Sequence, residues 1–354
     1  MTQKRLLYIF PTNFEHEGLV LKLEGQMAAF QQKYEAEALP FYYLRSSSGL
    51  KKALAMVKYQ WTAIGKTLAF DVIYVRYNPK MIWLNKWLMG LSFFKPVFLE
   101  HNVNLNIELA YIKRPIERII HLLTAFCFQF TCLNHVAGTL EMCQYVECFG
   151  VKKKRVIYMQ NGYLASPIRN DRVDQSSVEK VRKVKESGKK LAVFSGAGSG
   201  WHGVNKWIDL LQPFSDVVLV IAGPYLTSDK NQVLTLGVVT SDTLKTIYSY
   251  CDFGLASFST DDLQVTQASP LKTREYLCYG LPIVVNCWDC AADFEPLKPF
   301  IFNLKDPKTK IEDVIKTSVD HAQIQALARQ YLSWESVMEA LFLDLGVTED
   351  QIPA

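Results

Sequence analysis

Ser269-Pro270-Leu271-Lys272-Thr273-Arg274-Glu275-Tyr276-Leu277-Cys278-Tyr279-Gly280-Leu281-Pro282, followed by Ile283-Val284-Val285, reads as a short helix with both ends marked and a buried strand behind it. Ser269 suits the cap and Pro270 the first helical position. Gly280 suits a left-handed stop, and Pro282 bars continuation. Lys272 and Glu275 lie three residues apart and so share a face. A helix N-terminus with a lysine in its first turn can seat a phosphate. A carboxylate one turn deeper can accept hydrogen bonds from sugar hydroxyls. The same residues also fit a capped surface helix with one salt bridge.

The chain around this segment has 354 residues, enough for two domains. Hydrophobic residues make up 49% and charged residues 21%, which fits large cores rather than disorder. A net charge of only +4 gives no argument for nucleic acid as a partner. Leu6 to Phe10 is too short for a signal peptide and reads as a first strand. No apolar run is long enough to span a bilayer. The eight cysteines then suggest reduced thiols and a cytoplasmic location. Cys287 and Cys290 form a lone pair without a second pair or a nearby histidine, so no metal site is expected.

Alternating strands and helices run through both halves. Leu6–Phe10 is a strand ended by Pro11-Thr12-Asn13, and the pattern after Gly18 (Leu19, Leu23, Met27, Phe30) has helical spacing. Further strands are expected at Phe41–Leu44, Val72–Val75, Pro96–Asn102, Val136–Thr139 and Val156–Met159. Lys80–Lys95 and Lys113–Leu133 interleave Trp, Phe and Ile with cations, which suits helices lying in a membrane interface or helices packed on the sheet. Ser166 to Lys190 is polar and charged, so the boundary is expected there, giving domains 1–165 and 166–330. Leu191–Ser195 starts a second strand–loop–helix. Its loop, Gly196-Ala197-Gly198-Ser199-Gly200, can offer amides to a diphosphate, and its helix is Val204–Leu211. Val217–Ala222 ends in the turn Gly223-Pro224. Leu236–Val239 precedes a helix capped by Ser241-Asp242, and Asp252–Ala256 leads to a loop reaching Ala268.

Ser-Pro-x-Lys-x-x-Glu-Tyr-Leu-x-x-Gly-x-Pro-Ile-Val resembles the donor-site signature of GT-B glycosyltransferases, especially the family 4 type of bacterial cell-surface polysaccharide synthesis. The resemblance implies an α/β chain of two Rossmann-like domains facing a central cleft. The donor, a UDP- or GDP-linked sugar, would sit on the C-terminal domain. There Glu275 would hold the ribose, and the helix start at Ser269, Pro270, Leu271 and Lys272 would lie against the diphosphate. Gly196, Gly198, Ser199, His202, Gly223 and Val239 would complete the nucleotide site. On the N-terminal, acceptor-binding domain, His101 would lie near the donor sugar, with Gly18 and Asn102 on the acceptor side. Residues 331–354 would form a last helix crossing back to that domain. The resemblance implies that no cofactor or metal would be required. The acceptor would be a lipid-linked or other glycan hydroxyl, met at the membrane surface.

The match has gaps. Typical members carry an arginine in the Gly196–Gly200 loop and a lysine where this chain has His202. Retaining members often show two glutamates separated by seven residues, but Gln267 stands in the first place. Gln267 can hydrogen-bond a sugar but cannot act as a base. The pair Asp261-Asp262 lies nearby. These gaps leave open a non-catalytic nucleotide-sugar-binding subunit, and a GT-B sugar-nucleotide epimerase is a further alternative.

Overall fold

The fold is described from a computed structural model of the chain, for residues 3–11, 17–41, 49–198, 200–225, 232–258 and 264–344. Thr12, Asn13, Tyr42–Leu44, Ser199 and Asp261-Asp262 lie outside the described residues. The chain divides into unit 1, Met1–Gln160 with Val337–Ala354, and unit 2, Asn161–Ser336.

In unit 1 the elements are β1 (Arg5–Phe10), α1 (Glu17–Gln31), β2 (Glu35–Pro40), α2 (Gly49–Thr67), β3 (Val72–Arg76), α3 (Ile82–Leu91), β4 (Val97–His101), α4 (Leu105–Tyr111), α5 (Pro115–Cys127), β5 (Asn134–Ala137), α6 (Leu140–Glu147) and β6 (Val156–Tyr158). The strands form one parallel sheet in the order β2-β1-β3-β4-β5-β6. The order reverses direction between β1 and β3. Right-handed crossovers therefore place α1 on one face and α2, α3, α5 and α6 on the other. Side-chain alternation sorts the core between these faces. Leu7, Ile9, Ile73, Val75, Val97 and Leu99 pack with Leu84 and Leu88 of α3 and Ala125 of α5. Tyr8 instead meets Phe10, Tyr74 and Phe30 of α1 edge to face, and Phe30 meets Phe342 of the C-terminal segment.

The second strand of unit 1 differs from expectation. It is Glu35–Pro40, and Phe41 is the buried residue just past its end. Its outer position leaves one side of the strand wet, so Glu35 and Glu37 are tolerated where an apolar run was sought.

Unit 2 continues with α7 (Gln175–Glu186), β7 (Lys190–Ser195), α8 (Val204–Leu211), β8 (Val217–Ala222), β9 (Val233–Gly237), α9 (Ser241–Tyr248), β10 (Phe253–Leu255), β11 (Gln267–Ala268), α10 (Leu271–Cys278), β12 (Ile283–Val285), β13 (Trp288–Asp289), β14 (Ile301–Asn303), α11 (Ile311–Lys316) and α12 (His321–Leu332). Then come α13 (Trp334–Val337) and α14 (Glu339–Asp344), the latter in unit 1. The main sheet is again six parallel strands, β14-β12-β10-β7-β8-β9, and its order reverses between β7 and β10. β11 and β13 form a separate parallel pair.

Both unit boundaries differ from the sequence expectation, for local reasons. Asn161 and Tyr163 are already tied into unit 2: Asn161 bonds Ser269, and the Tyr163 amide donates to the Leu332 carbonyl at 2.7 Å. α12 packs on α10 with Leu332 fully buried, so unit 2 runs past residue 330. The expected single last helix breaks at Ser333 into α12, α13 and α14.

The Trp- and Phe-rich helices of unit 1 pack one face on the sheet and expose several large apolar side chains on the other. Trp83, Trp87, Phe93 and Phe94 near α3 are exposed, as are Ile116, Ile119, Leu123 and Phe126 on α5. α2, which packs on α3, adds Leu50, Leu54, Val57 and Trp61. Among the described residues no helix is long and apolar enough to cross a membrane.

Candidate functional site

α10 lies beside the reversal point of the unit 2 sheet, where open α/β sheets gather ligands outside the carboxyl ends of their strands. Its anchoring is tight. The Tyr276 hydroxyl accepts from the Ser195 amide at 2.8 Å, at the end of β7. Gly254 of β10 makes room for that ring: a Cβ there would lie 2.3 Å from Tyr276 Cδ2. Arg274 is fully buried and ion-pairs with Asp289, whose Oδ2 accepts from Thr273 Oγ1 at 2.8 Å. Arg274 Nη1 also donates to Thr273 Oγ1 at 2.9 Å, and Arg274 Nε to the Asn161 carbonyl at 3.2 Å.

The N-terminus of α10 differs from its sequence expectation. Pro270 is the cap residue rather than the first helical one, and no side chain caps the helix. The Ser269 hydroxyl is engaged elsewhere, accepting from the Asn161 amide at 2.8 Å, while the Asn161 side-chain amide donates to the Ser269 carbonyl. Ser269 thus fixes the approach to α10 and leaves the first amides of the helix without a side-chain cap.

Lys272, in the first turn, holds its Nζ fully buried with no hydrogen-bond partner among the described residues. The ammonium sits 4.1 Å above the ring of Phe194, on β7. Burial pulls its pKa down to about 7. The alternative of a surface salt bridge is therefore not what the helix shows at this lysine. Glu275, one turn deeper, accepts from the Tyr248 hydroxyl at 3.0 Å.

His202 lies beside this lysine, with Nδ1 bonded to the Tyr225 hydroxyl. Burial, then the charge of Lys272, pushes its pKa down to about 3. It is a neutral imidazole and not a substitute for the family's loop lysine. Gly196, Gly198 and Gly223 all lie against neighbouring chain rather than open space. Gly223 has φ of 132°, and a Cβ there would lie 2.0 Å from the Gly196 carbonyl oxygen. Gly198 lies against Pro224, where its Cβ would lie 2.8 Å from Cγ. Val239 is half-buried just before the Thr240 cap of α9. That cap moves the helix start ahead of the expected Ser241-Asp242. Gln267 is half-buried and pairs in register with Trp288.

The unit 1 residues form a separate group. His101 is buried, its Nε2 3.0 Å from His135 Nδ1, with Tyr77 and Phe128 around it. Burial, followed by the His135 and His121 rings, holds its pKa well below the usual value. His101 is thus packed within unit 1 against His135, Tyr77 and Phe128. Asn102 accepts from Lys22 Nζ, on the opposite face of the sheet. Gly18 lies in the first turn of α1 rather than in the preceding loop, and a Cβ there would meet nothing within 4 Å. Among the described residues no group of three His, Cys, Asp or Glu could hold a metal ion. Sequence spacing gave no signal for Tyr276, Arg274, Asp289, Tyr248 or Tyr225, because each works through a partner far away in the chain.

No family model and no curated protein matches this chain. Solved structures do. Anabaena HepE in complex with UDP and glucose is 16% identical, with 98% of this chain and 100% of that chain covered and a TM-score of 0.61. A glycosyltransferase from Rickettsia africae is 11% identical, with 98% of each chain covered and a TM-score of 0.60. The lipopolysaccharide outer core galactosyltransferase WaaB in its apo form is 14% identical, covers 96% and 99%, and also reaches 0.60. A Listeria monocytogenes protein assigned as a UDP-N-acetylglucosamine 2-epimerase is 12% identical, covers 100% and 99%, and reaches 0.54. Two α/β units, each built on a parallel six-stranded sheet and both spanned by these alignments, give the chain the GT-B fold.

Proposed function

We propose that the protein transfers a sugar from a nucleotide diphosphate sugar to a hydroxyl. The observation that carries this is the buried, unpartnered Lys272 ammonium at the reversal point of the unit 2 sheet. A diphosphate would supply its missing counter-charge, and the open α10 amides would add their dipoles. In this reading Lys272 and the helix stabilise the leaving diphosphate, so activity survives EDTA. Glu275, oriented by Tyr248, holds the ribose. His202 supports the glycine loop through Tyr225 and carries no charge.

The test is calorimetric titration of UDP, GDP and their sugars, followed by turnover with candidate glycans. Glu275→Ala is expected to weaken donor binding by roughly 1.5–3 kcal/mol, the range for a hydrogen bond to a charged group. Unchanged affinity would remove the donor assignment. An epimerase is the second reading, favoured by the Listeria neighbour; it would convert the nucleotide sugar with no acceptor present.

We further propose a lipid-linked acceptor in surface polysaccharide synthesis and retention of configuration, both on the family resemblance. Contact with the cytoplasmic membrane face is supported by the exposed Trp83, Phe94, Ile116, Leu123 and Trp61, flanked by Lys80, Lys86, Lys95 and Arg118. Trp83→Ser with Phe94→Ser is expected to weaken co-sedimentation with anionic vesicles and to leave UDP binding and the melting temperature unchanged. Equal sedimentation of wild type and variant would reject it.

A further inference from the structure

The reversal point of the unit 1 sheet holds a second cation with an unmade hydrogen bond, on the half-buried Arg76. Arg76 ends β3, and its guanidinium lies over the ring of Phe10, the last residue of β1, at 5.2 Å. These two strands flank the point where the strand order changes direction, which is where open α/β sheets take their ligands. Arg76 Nη1 is fully buried and has no hydrogen-bond partner among the described residues. A buried donor on a charged group left unmade costs more than an ordinary hydrogen bond returns.

The neighbouring charges do not supply the missing partner. Alternation along the strands places Tyr8, Arg76 and Glu100 on the α1 face. Glu100 is spent on Lys22, whose Nζ lies 2.6 Å from Oε1 with both side chains buried, and it also accepts from Tyr8 at 3.2 Å. Burial opposes the ionisation of Glu100, but the charges of Lys22 and Arg76 overcome it and hold the carboxyl below its usual value. Glu108 faces the cluster from α4; burial raises its pKa, against the pull of Arg76 and Arg114. Lys22 and Arg76 thus face two carboxylates, Glu100 and Glu108, and what stays unmet is the hydrogen bond of Arg76 Nη1.

We propose that this crevice is an anion subsite of unit 1, in which Arg76 binds a phosphate or carboxylate group. A planar guanidinium matches both oxyanions, and its unbonded Nη1 offers the donor. The ligand's identity as part of the acceptor rests on the transferase reading; the anion site does not. An acceptor bearing a uronate or a phosphate would be held here, and a neutral glycan would gain nothing from Arg76.

The test titrates inorganic phosphate, D-glucuronate and D-glucose by calorimetry into protein carrying Lys272→Met, which silences the cation of unit 2. At least one anion is expected to bind saturably and D-glucose not. Adding Arg76→Met should weaken that anion at least tenfold, and Arg76→Lys should retain part of the affinity. Phosphate binding without glucuronate would identify a phosphorylated ligand, and the reverse a sugar acid. UDP affinity, measured with Lys272 intact, should be the same for Arg76→Met as for wild type. Loss of UDP binding in wild type would count against the donor reading and leave the anion result standing. No saturable anion binding, or equal binding by Arg76→Met, overturns the proposal. Should Arg76→Met melt early, Arg76→Lys decides: full wild-type affinity for both anions would show that the fork has no role.

Discussion

Asp289→Ala is expected to destabilise unit 2 by about 3–5 kcal/mol, the cost of stranding one member of a buried ion pair. Arg274 would remain fully buried with its carboxylate gone, although it would still donate to the Thr273 hydroxyl and the Asn161 carbonyl. Thr273 Oγ1 and the Ala291 amide would each lose an acceptor as well. The damage falls on α10, so donor binding should weaken together with stability. Replacing both members with apolar residues, Arg274→Met with Asp289→Leu, should recover much of the stability, because no charge is then left buried. Denaturant melts of the two variants check this. Asp289→Ala within 1 kcal/mol of wild type, a typical surface-pair value, would show that the pair is solvated.

Lys272→Met is expected to act in opposite directions on stability and on binding. Removing an unpartnered buried ammonium should raise the melting temperature. UDP affinity should fall roughly 10- to 150-fold, the equivalent of a 1.5–3 kcal/mol charged hydrogen bond. The pH dependence follows from the sign of the shift. Lys272 titrates at about 7 in the fold against 10.5 in the unfolded chain. Between these values the unfolded state binds more protons, so this residue makes the protein more stable as pH rises from 7 to 10.5. A bound diphosphate favours the charged form. UDP binding at pH 8 should therefore take up close to one proton, seen as a binding heat that changes with the ionisation enthalpy of the buffer. The variant should show no such uptake through this residue. A wild-type heat independent of buffer would contradict the assignment of Lys272 to the phosphate.

Much of the architecture was legible because local chemistry was enough. Ile283–Val285, Val217–Ala222 and Leu191–Ser195 are apolar runs between turn signals, and each is a central strand. Glu35–Pro40 was not legible, since its Glu and Ala residues have low strand preference and only pairing with β1 fixes them. Helical spacing put Lys272 and Glu275 on one face, but it fitted a surface salt bridge as well, and the burial of Lys272 Nζ was not readable from it. Ser269 was placed in the right motif with the wrong duty, because its partner Asn161 lies 108 residues earlier. His101 was read without His135, which occupies its Nε2. Spacing along one helix is written in the sequence; a partner on a distant strand is not.

The contact between Gly223 and the Gly196 carbonyl has a bearing on what such glycines signify. The two loops touch backbone to backbone, so every other side chain is barred from position 223 whatever the protein binds. A library randomised at 196 and 223 and sorted only for folding should return glycine at 223 without any donor present. A search keyed on these positions would then retrieve chains that share a shape, and would be silent on their chemistry. If the anion proposals hold, the discriminating letters lie elsewhere, at 272 and 76, where a charge is kept with a hydrogen bond unmade.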